Sequence, residues 1–426
     1  MTSYSQCVQF LESLNIMPKE MPGITKLTKA LEETSWFSLI DPKKVIVVAG
    51  TNGKGTTCAI LESLLISAKQ NVGFYSSPHL IETTERIRCQ QKNISEEKFL
   101  KLFKKNSTLI QKYDLTHFEA LTLMCGDYFF SPEWENNLDY AIFEVGLGGL
   151  FDATNAIPHA YSVITALGLD HTKILGSDLL SIAKNKFGIV HKDNVVIHHQ
   201  LPTDLEKLKN QVLKETNSKW QSAEPYSFTI HGEAQYNLRS KWGFAELNLS
   251  GARAAENAAT ALTVFETLGF NPQEHLQALQ KVQWPGRMQL VSWPGLQAKL
   301  YLSGDHNEQG IQSLIEIMKS FSYENLYCIV GIGQDKDSEK MLKDLTTLKN
   351  LHLCLTETPF KGLRINEYPN EFLQACWKKN TNSIELINEV STVATKKDLV
   401  LVTGSLYLVG AVLKYLKGLN GYDIRT

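Results

Sequence analysis

The residues best equipped to do chemistry lie in one run, Val47–Thr57, which reads VVAGTNGKGTT. An apolar strand runs into a glycine-rich turn, then a lysine, then two hydroxyls, then a helix. Backbone N–H groups freed by the glycines, the positive end of the helix and the Lys54 ammonium all favour a bound triphosphate. Thr56 or Thr57 would offer a hydroxyl to Mg²⁺. The usual GxxxxGK[ST] spacing is altered, because Val48 stands where the first glycine belongs and Gly55 follows the lysine. Elsewhere, Glu144 closes an apolar run, where a carboxylate is costly to bury without a partner. It reads as a Mg²⁺ ligand or as a strand-end carboxylate in water. His171 reads equally as a ligand or as a hydrogen-bonded loop histidine. Lys186, taken alone, is an ordinary helix-surface lysine.

These groups need elements to hold them. VIVVAG (Val45–Gly50), YAIFEVG (Tyr140–Gly146) and AYSVITALG (Ala160–Gly168) read as buried strands, each ending in glycine where a parallel sheet places its functional loops. TTCAILESLLISAK reads as a helix with Ile60, Leu61, Leu64 and Leu65 on one face. YSFTIHG and FAELNLSG look like antiparallel strands, followed by an alanine-rich helix stopped near Gly269. Two Trp-Pro-Gly turns within Trp284–Gly295 mark a linker. Strand and helix then alternate to the end. The expected fold class is α/β: a P-loop domain with a mostly parallel sheet and flanking helices over residues 1–284, a hinge over 285–297, and a smaller, Rossmann-like α/β domain over 298–426.

Composition narrows the partners. The 426 residues are 43% hydrophobic and 21% charged, ordinary for a folded chain. With 43 Lys and Arg against 45 Asp and Glu, the formal net charge is −2, which argues against nucleic acid or a polybasic membrane anchor. The seven cysteines are scattered and lack zinc-site spacing, so reduced thiols are expected. No signal-peptide pattern opens the chain and no apolar run is long enough to span a bilayer. A cytoplasmic monomer acting on small molecules is expected.

GTNGKG followed by Thr resembles the phosphate loop of folylpolyglutamate synthases and dihydrofolate synthases, ATP-dependent amide ligases related to the peptidoglycan Mur ligases. The resemblance extends along the chain in family order. It takes in SSPHL (Ser76–Leu80), ERIR (Glu85–Arg88), THFE (Thr116–Glu119), EVGLGG (Glu144–Gly149), DATN (Asp152–Asn155) and LDHTKILG (Leu169–Gly176). It continues through NAATAL (Asn257–Leu262), PGR (Pro285–Arg287), HN (His306–Asn307), DKD (Asp335–Asp337) and VTGSLYLVG (Val402–Gly410).

The resemblance implies roles. Thr51, Asn52, Gly53, Lys54, Gly55, Thr56 and Thr57 would bind ATP with Asn257, Arg287, Ser303 and His306. Thr56, Ser77, Glu144 and His171 would hold one or two Mg²⁺ ions. Lys54, His171 and Lys186 would be catalytic, Lys186 matching a lysine that is carbamylated in relatives. Thr116, His117, Phe118, Glu119, Phe151, Asp152 and Ala153 would meet the pterin, Phe118 by stacking, although a core aromatic fits its sequence as well. Leu150 replaces an Arg of the family pattern, Asn185 a Glu, Phe187 an Ala and Ser303 an Asp. The implied reaction passes the γ-phosphoryl of ATP to a dihydropteroate or reduced-folate carboxylate, and the amine of L-glutamate then displaces phosphate. The alternatives are a paralogous amide ligase with another acceptor, and a nucleotide-binding module that does not ligate.

Overall fold

The computed structural model describes residues 2–14 and 23–420. The chain divides into two compact units, residues 1–226, 239–244 and 256–281 in the first and residues 227–238, 245–255 and 282–426 in the second. The first unit is built on an eight-stranded sheet. In chain order its strands are β1 (Val45–Ala49), β2 (Val72–Tyr75), β3 (Ile87–Cys89), β4 (Lys92–Asn93), β5 (Tyr140–Glu144), β6 (Tyr161–Ile164), β7 (Val195–His198) and β8 (Lys219–Ser222). Their spatial order is β4-β3-β2-β5-β1-β6-β7-β8. Every pairing from β2 through β8 is parallel, and only the β2–β3 and β3–β4 edge pairs are antiparallel.

β1 is buried along its whole length, as an all-apolar VIVVA run requires when both faces of a parallel sheet are covered. Val45, Val47 and Ala49 join a core with Trp36, Phe99, Leu121 and Phe143. After β1 the chain forms the helix Lys54–Ser67. The sequence suggested one apolar face, but residues from Gly55 to Leu65 are all buried. A second layer explains this: the helical segment Pro272–Lys281 covers the helix, and the Ser63 hydroxyl donates to the Ala278 carbonyl (3.0 Å).

A three-stranded sheet follows, β9 (Tyr226–His231), β10 (Gln235–Ser240) and β11 (Gly243–Leu247), in the order β11-β10-β9. The sequence reading saw the outer two and missed β10. The second unit carries a six-stranded sheet of β12 (Gln289–Val291), β13 (Lys299–Leu302), β14 (Leu326–Val330), β15 (Leu351–Leu355), β16 (Lys378–Lys379) and β17 (Leu399–Thr403), in the order β12-β13-β17-β14-β15-β16. All its pairs are parallel except β12–β13. The stretch 285–297, expected as a hinge, therefore contains an edge strand of this sheet, since the short QLV run between the two Trp-Pro-Gly turns pairs with Leu300–Leu302. Among the described residues no helix is long and apolar enough to cross a membrane.

Candidate active site

β1 sits between β5 and β6, so three loops leave the sheet side by side at its C-terminal edge, the place where open α/β sheets bind ligands. The loop after β1 is knitted to the end of β6. Thr51 N–H donates to Ala166 O (2.8 Å), Thr51 Oγ1 to Gly168 O (2.9 Å), and Thr165 Oγ1 to Asn52 O (2.8 Å). Gly53 has φ +88°, and a Cβ there would lie 2.3 Å from Asn257 Oδ1. Only glycine meets both demands. Thr57 Oγ1 donates to the same Asn257 oxygen (3.3 Å), which ties the predicted Asn257 to the loop. Gly53→Ala is accordingly expected to weaken nucleotide binding at least tenfold, as read by titration calorimetry with ADP.

Two ammonium groups converge on one carbonyl of this loop. Lys54 Nζ donates to Gly50 O (3.1 Å), and Lys186 Nζ, from the helix Leu179–Phe187, donates to the same oxygen (2.9 Å). Lys186 is only 4% exposed, which corrects its reading as a surface lysine. The EVGLGG loop presses on its helix: a Cβ on Gly149 would lie 2.8 Å from Asn185 O and 2.9 Å from Lys186 O. Burial, and then the neighbouring Lys54 charge, pull the Lys186 ammonium down to about 7, against smaller opposing effects of Asp170 and Asp152. Lys54 opens the helix Lys54–Ser67, whose N-terminus favours an anion, and Lys186 stands behind the same loop carbonyl.

On the β5 side, Glu144 is buried at the strand end and accepts a hydrogen bond from Ser77 N–H (3.1 Å), so the structure brings Ser77 and Glu144 together. His171, in the loop after β6, has φ +49° and places Nε2 3.9 Å from Asp170 Oδ1. Among the described residues no three His, Cys, Asp or Glu side chains form a metal cage. A Mg²⁺ site of one carboxylate, hydroxyls, waters and nucleotide phosphates needs no such cage, and Glu144 with the Ser77 and Thr56 hydroxyls suits it.

The pterin candidates separate. Thr116 caps the helix His117–Phe130 through a capping box with Glu119, whose Oε2 accepts from Thr116 N–H (2.8 Å) and Oγ1 (2.7 Å). Glu119 Oε1 is buried without a hydrogen-bond partner. His117 donates from Nδ1 to Leu11 O (2.8 Å), and burial holds it neutral, down at about 4. Phe118 is half-buried and stacks on Tyr75, with centroids 5.6 Å apart. In the next loop Leu150 and Phe151 are 41% and 42% exposed, Ala153 is buried, and Asp152 serves the loop itself. Its carboxylate accepts from Leu147 N–H, Thr154 N–H and Thr154 Oγ1. The sequence reading gave no role to Thr165 or Asp170, and a small polar or acidic residue just past an apolar strand was the only cue to either.

In the second unit, Ser303 follows β13 and donates from Oγ to Asp305 Oδ2 (2.6 Å). His306 Nδ1 donates to Gly304 O (2.9 Å), whose own N–H donates to Gly286 O (2.7 Å), beside Arg287. Arg287 Nε is buried without a hydrogen-bond partner. This turn, the start of the helix Glu308–Met318 and the Thr403–Gly404 bend form that unit's polar edge, Thr403 Oγ1 donating to Asp305 O (3.4 Å).

A phosphate loop on one parallel sheet and a second, smaller parallel sheet define a two-domain ligase of the Mur type, and residues 286–406 match the Mur ligase, glutamate ligase domain family. The dihydrofolate synthase/folylpolyglutamate synthase of Buchnera aphidicola subsp. Acyrthosiphon pisum is 33% identical, over 96% of this chain and 98% of its own. Escherichia coli FolC in complex with DHPP and ADP superposes with a TM-score of 0.83 at 27% identity, covering 98% of both chains. A bifunctional folylpolyglutamate synthase/dihydrofolate synthase with Mn, AMPPNP and L-glutamate bound gives 0.82 at 29% identity, again over 98% of both. The chain belongs to the dihydrofolate synthase/folylpolyglutamate synthase family.

Proposed function

We propose that this protein is an ATP-dependent ligase that joins L-glutamate to a dihydropteroate or folate carboxylate through an acyl phosphate. The acceptor carboxylate oxygen attacks the γ-phosphorus, and ADP leaves. The α-amine of glutamate then attacks the acyl carbon, the C–O bond to phosphate breaks, and the amine loses a proton. The convergence of Lys54 and Lys186 on Gly50 O carries this reading, because it concentrates positive charge where a transferring phosphoryl needs it. Glu144 with Ser77, Thr56 and, on the resemblance, His171 would hold Mg²⁺, which would supply positive charge to offset that of the phosphates. The buried, unpartnered Glu119 Oε1 suits an N–H donor of a pterin, and half-buried Phe118, stacked on Tyr75, offers an aromatic ring. The first unit on this reading binds ATP and acceptor, and the second, with Arg287, Ser303 and His306, serves glutamate and nucleotide. We read the protein as cytoplasmic and monomeric.

The deciding assay is phosphate release from Mg-ATP and L-glutamate, with and without 7,8-dihydropteroate or tetrahydrofolate. A product heavier by one glutamyl unit is expected. ATP binding without turnover on any pairing would point to the non-ligating module instead.

One observation favours a different acceptor. The exposed Leu150–Phe151 pair presents apolar surface where the family pattern has a guanidinium. Restoring it by Leu150→Arg is expected to lower KM for folate acceptors several-fold. An unchanged KM would make position 150 neutral.

A further inference from the structure

Two histidines, His159 and His191, bridge one gap in the first unit, and the roles above give neither any work. The gap lies between the loop after β5, residues 146–155, and the end of the helix that carries Lys186. Loop and helix already touch, Leu150 N–H donating to Asn185 O (2.8 Å). Asn155, only 4% exposed, fastens them further. Its Nδ2 donates to Leu150 O (3.0 Å) in the loop and to Gly188 O (3.1 Å) at the helix end. Both partners are carbonyls, so that end of the amide is the NH₂ group and Oδ1 is the acceptor. His191 Nε2 lies 2.9 Å from this oxygen. His191 therefore carries its proton on Nε2 and donates it to Asn155.

The surrounding network holds the His191 ring in that pose. Its backbone N–H donates to Asn194 Oδ1 (2.6 Å), and Asn194 Nδ2 donates to His159 O (2.8 Å). The two imidazole rings are 4.6 Å apart. His159 spans the same gap directly. Its Nδ1 lies 2.8 Å from the carbonyl of Ile157, just past the loop, and its Nε2 2.8 Å from that of Ile189, just past the helix. Burial, and then the neighbouring His191, push the His159 imidazolium down to about 4, so at neutral pH the ring donates to only one of the two. The link through Asn155 is better matched, each of its N–H groups meeting an acceptor.

We propose that His191 is a positioning residue for the acceptor: through Asn155 it holds the loop bearing Leu150 and Phe151 in register with the Lys186 helix, and so sets acceptor affinity. This rests on the reading of that loop as part of the acceptor site. A buried amide oxygen that loses its donor is costly, and turning the Asn155 side chain toward water recovers the loss. That turn withdraws Nδ2 from Leu150 O and Gly188 O together, because one rigid amide carries all three contacts. The loop then shifts against Lys186. The phosphate loop keeps its own ties to the end of β6, through Thr51 and Thr165, so nucleotide affinity stays as it was.

Two substitutions separate the hydrogen bond from the ring. His191→Phe keeps a ring beside His159 and removes the donor. His191→Gln loses the ring but places an amide N–H where Nε2 was. With Mg-ATP and L-glutamate, His191→Phe is expected to raise KM about tenfold for 7,8-dihydropteroate or tetrahydrofolate, whichever the wild type glutamylates, and to change kcat less than about threefold. His191→Gln is expected to return KM to within about threefold of wild type. Titration calorimetry with ADP should give wild-type affinity for both variants, which also shows that both are folded. An unchanged KM in His191→Phe overturns the proposal, and so does an equal rise in both variants or a loss of ADP affinity as large as the rise in KM. Wild-type protein that glutamylates neither acceptor overturns the underlying ligase reading and the proposal with it.

Discussion

Replacing Lys54 by alanine is expected to lower acceptor-dependent phosphate release at least 100-fold while leaving the unliganded fold as stable as before. The catalytic loss follows from what the ammonium does for a phosphoryl in flight. A preorganised charge facing the transferring group contributes on the order of 3 kcal/mol. No other group at the loop mouth can replace it, since Lys186 is buried behind the Gly50 carbonyl. The stability expectation is less obvious. Lys54 bonds only to Gly50 O and, at 3.4 Å, to Thr51 O, both exchangeable for water at a partly exposed loop. Its charge also opposes the ammonium of Lys186, so its removal relieves a repulsion in the absence of anion. Differential scanning calorimetry should therefore show an unchanged or slightly higher Tm without ligand, together with loss of the upward shift that ADP gives the wild type. A variant that keeps both the turnover and the ADP shift would remove Lys54 from the site.

Why could the phosphate loop be read from the sequence when its partners could not? Gly53, Lys54, Thr56 and Thr57 are adjacent in the chain, and local conformation alone assembles them. Glu144 was reachable because it ends a strand, and parallel strands share one edge, whereas Ser77 came from the resemblance alone. Lys186 was not, because its burial depends on Gly148 and Gly149 packing against its helix and on a carbonyl 136 residues away. Nothing in IAKNKFGI records those neighbours. Asp152 is a different case. Its spacing to Thr154 signals a turn that satisfies its own backbone, a local explanation that competes with any ligand role. His117 shows the same competition, its ring being held by a carbonyl from the chain's first helix. The division of the chain was also hidden, because parts of β9–β11 belong with residues remote in sequence.

The second large effect concerns Lys186→Met, which is expected to stop turnover and yet stabilise the protein in a pH-dependent way. Burial is the main reason its pKa drops from 10.5 to about 7 in the folded chain. Above about pH 10.5 the amine is neutral whether folded or unfolded, and it contributes no difference. Between pH 10.5 and 7 the unfolded chain binds a proton that the folded chain does not, so wild-type stability falls as pH is lowered through this window. Below pH 7 both states are protonated and the cost is constant, with a ceiling of a few kcal/mol. Methionine fills a similar volume and carries no charge, so it removes that cost and forfeits only the hydrogen bond to Gly50 O. Urea unfolding of both proteins should show Lys186→Met most favoured at pH 6, less so at pH 8, and level with wild type near pH 10. A difference that does not vary with pH would mean that the buried amine is not depressed. The same variant should lose phosphate release roughly 100-fold, since the second cation at the loop has gone. Stability gained where activity is lost is the mark of a group held against its own preference for the sake of a ligand's charge.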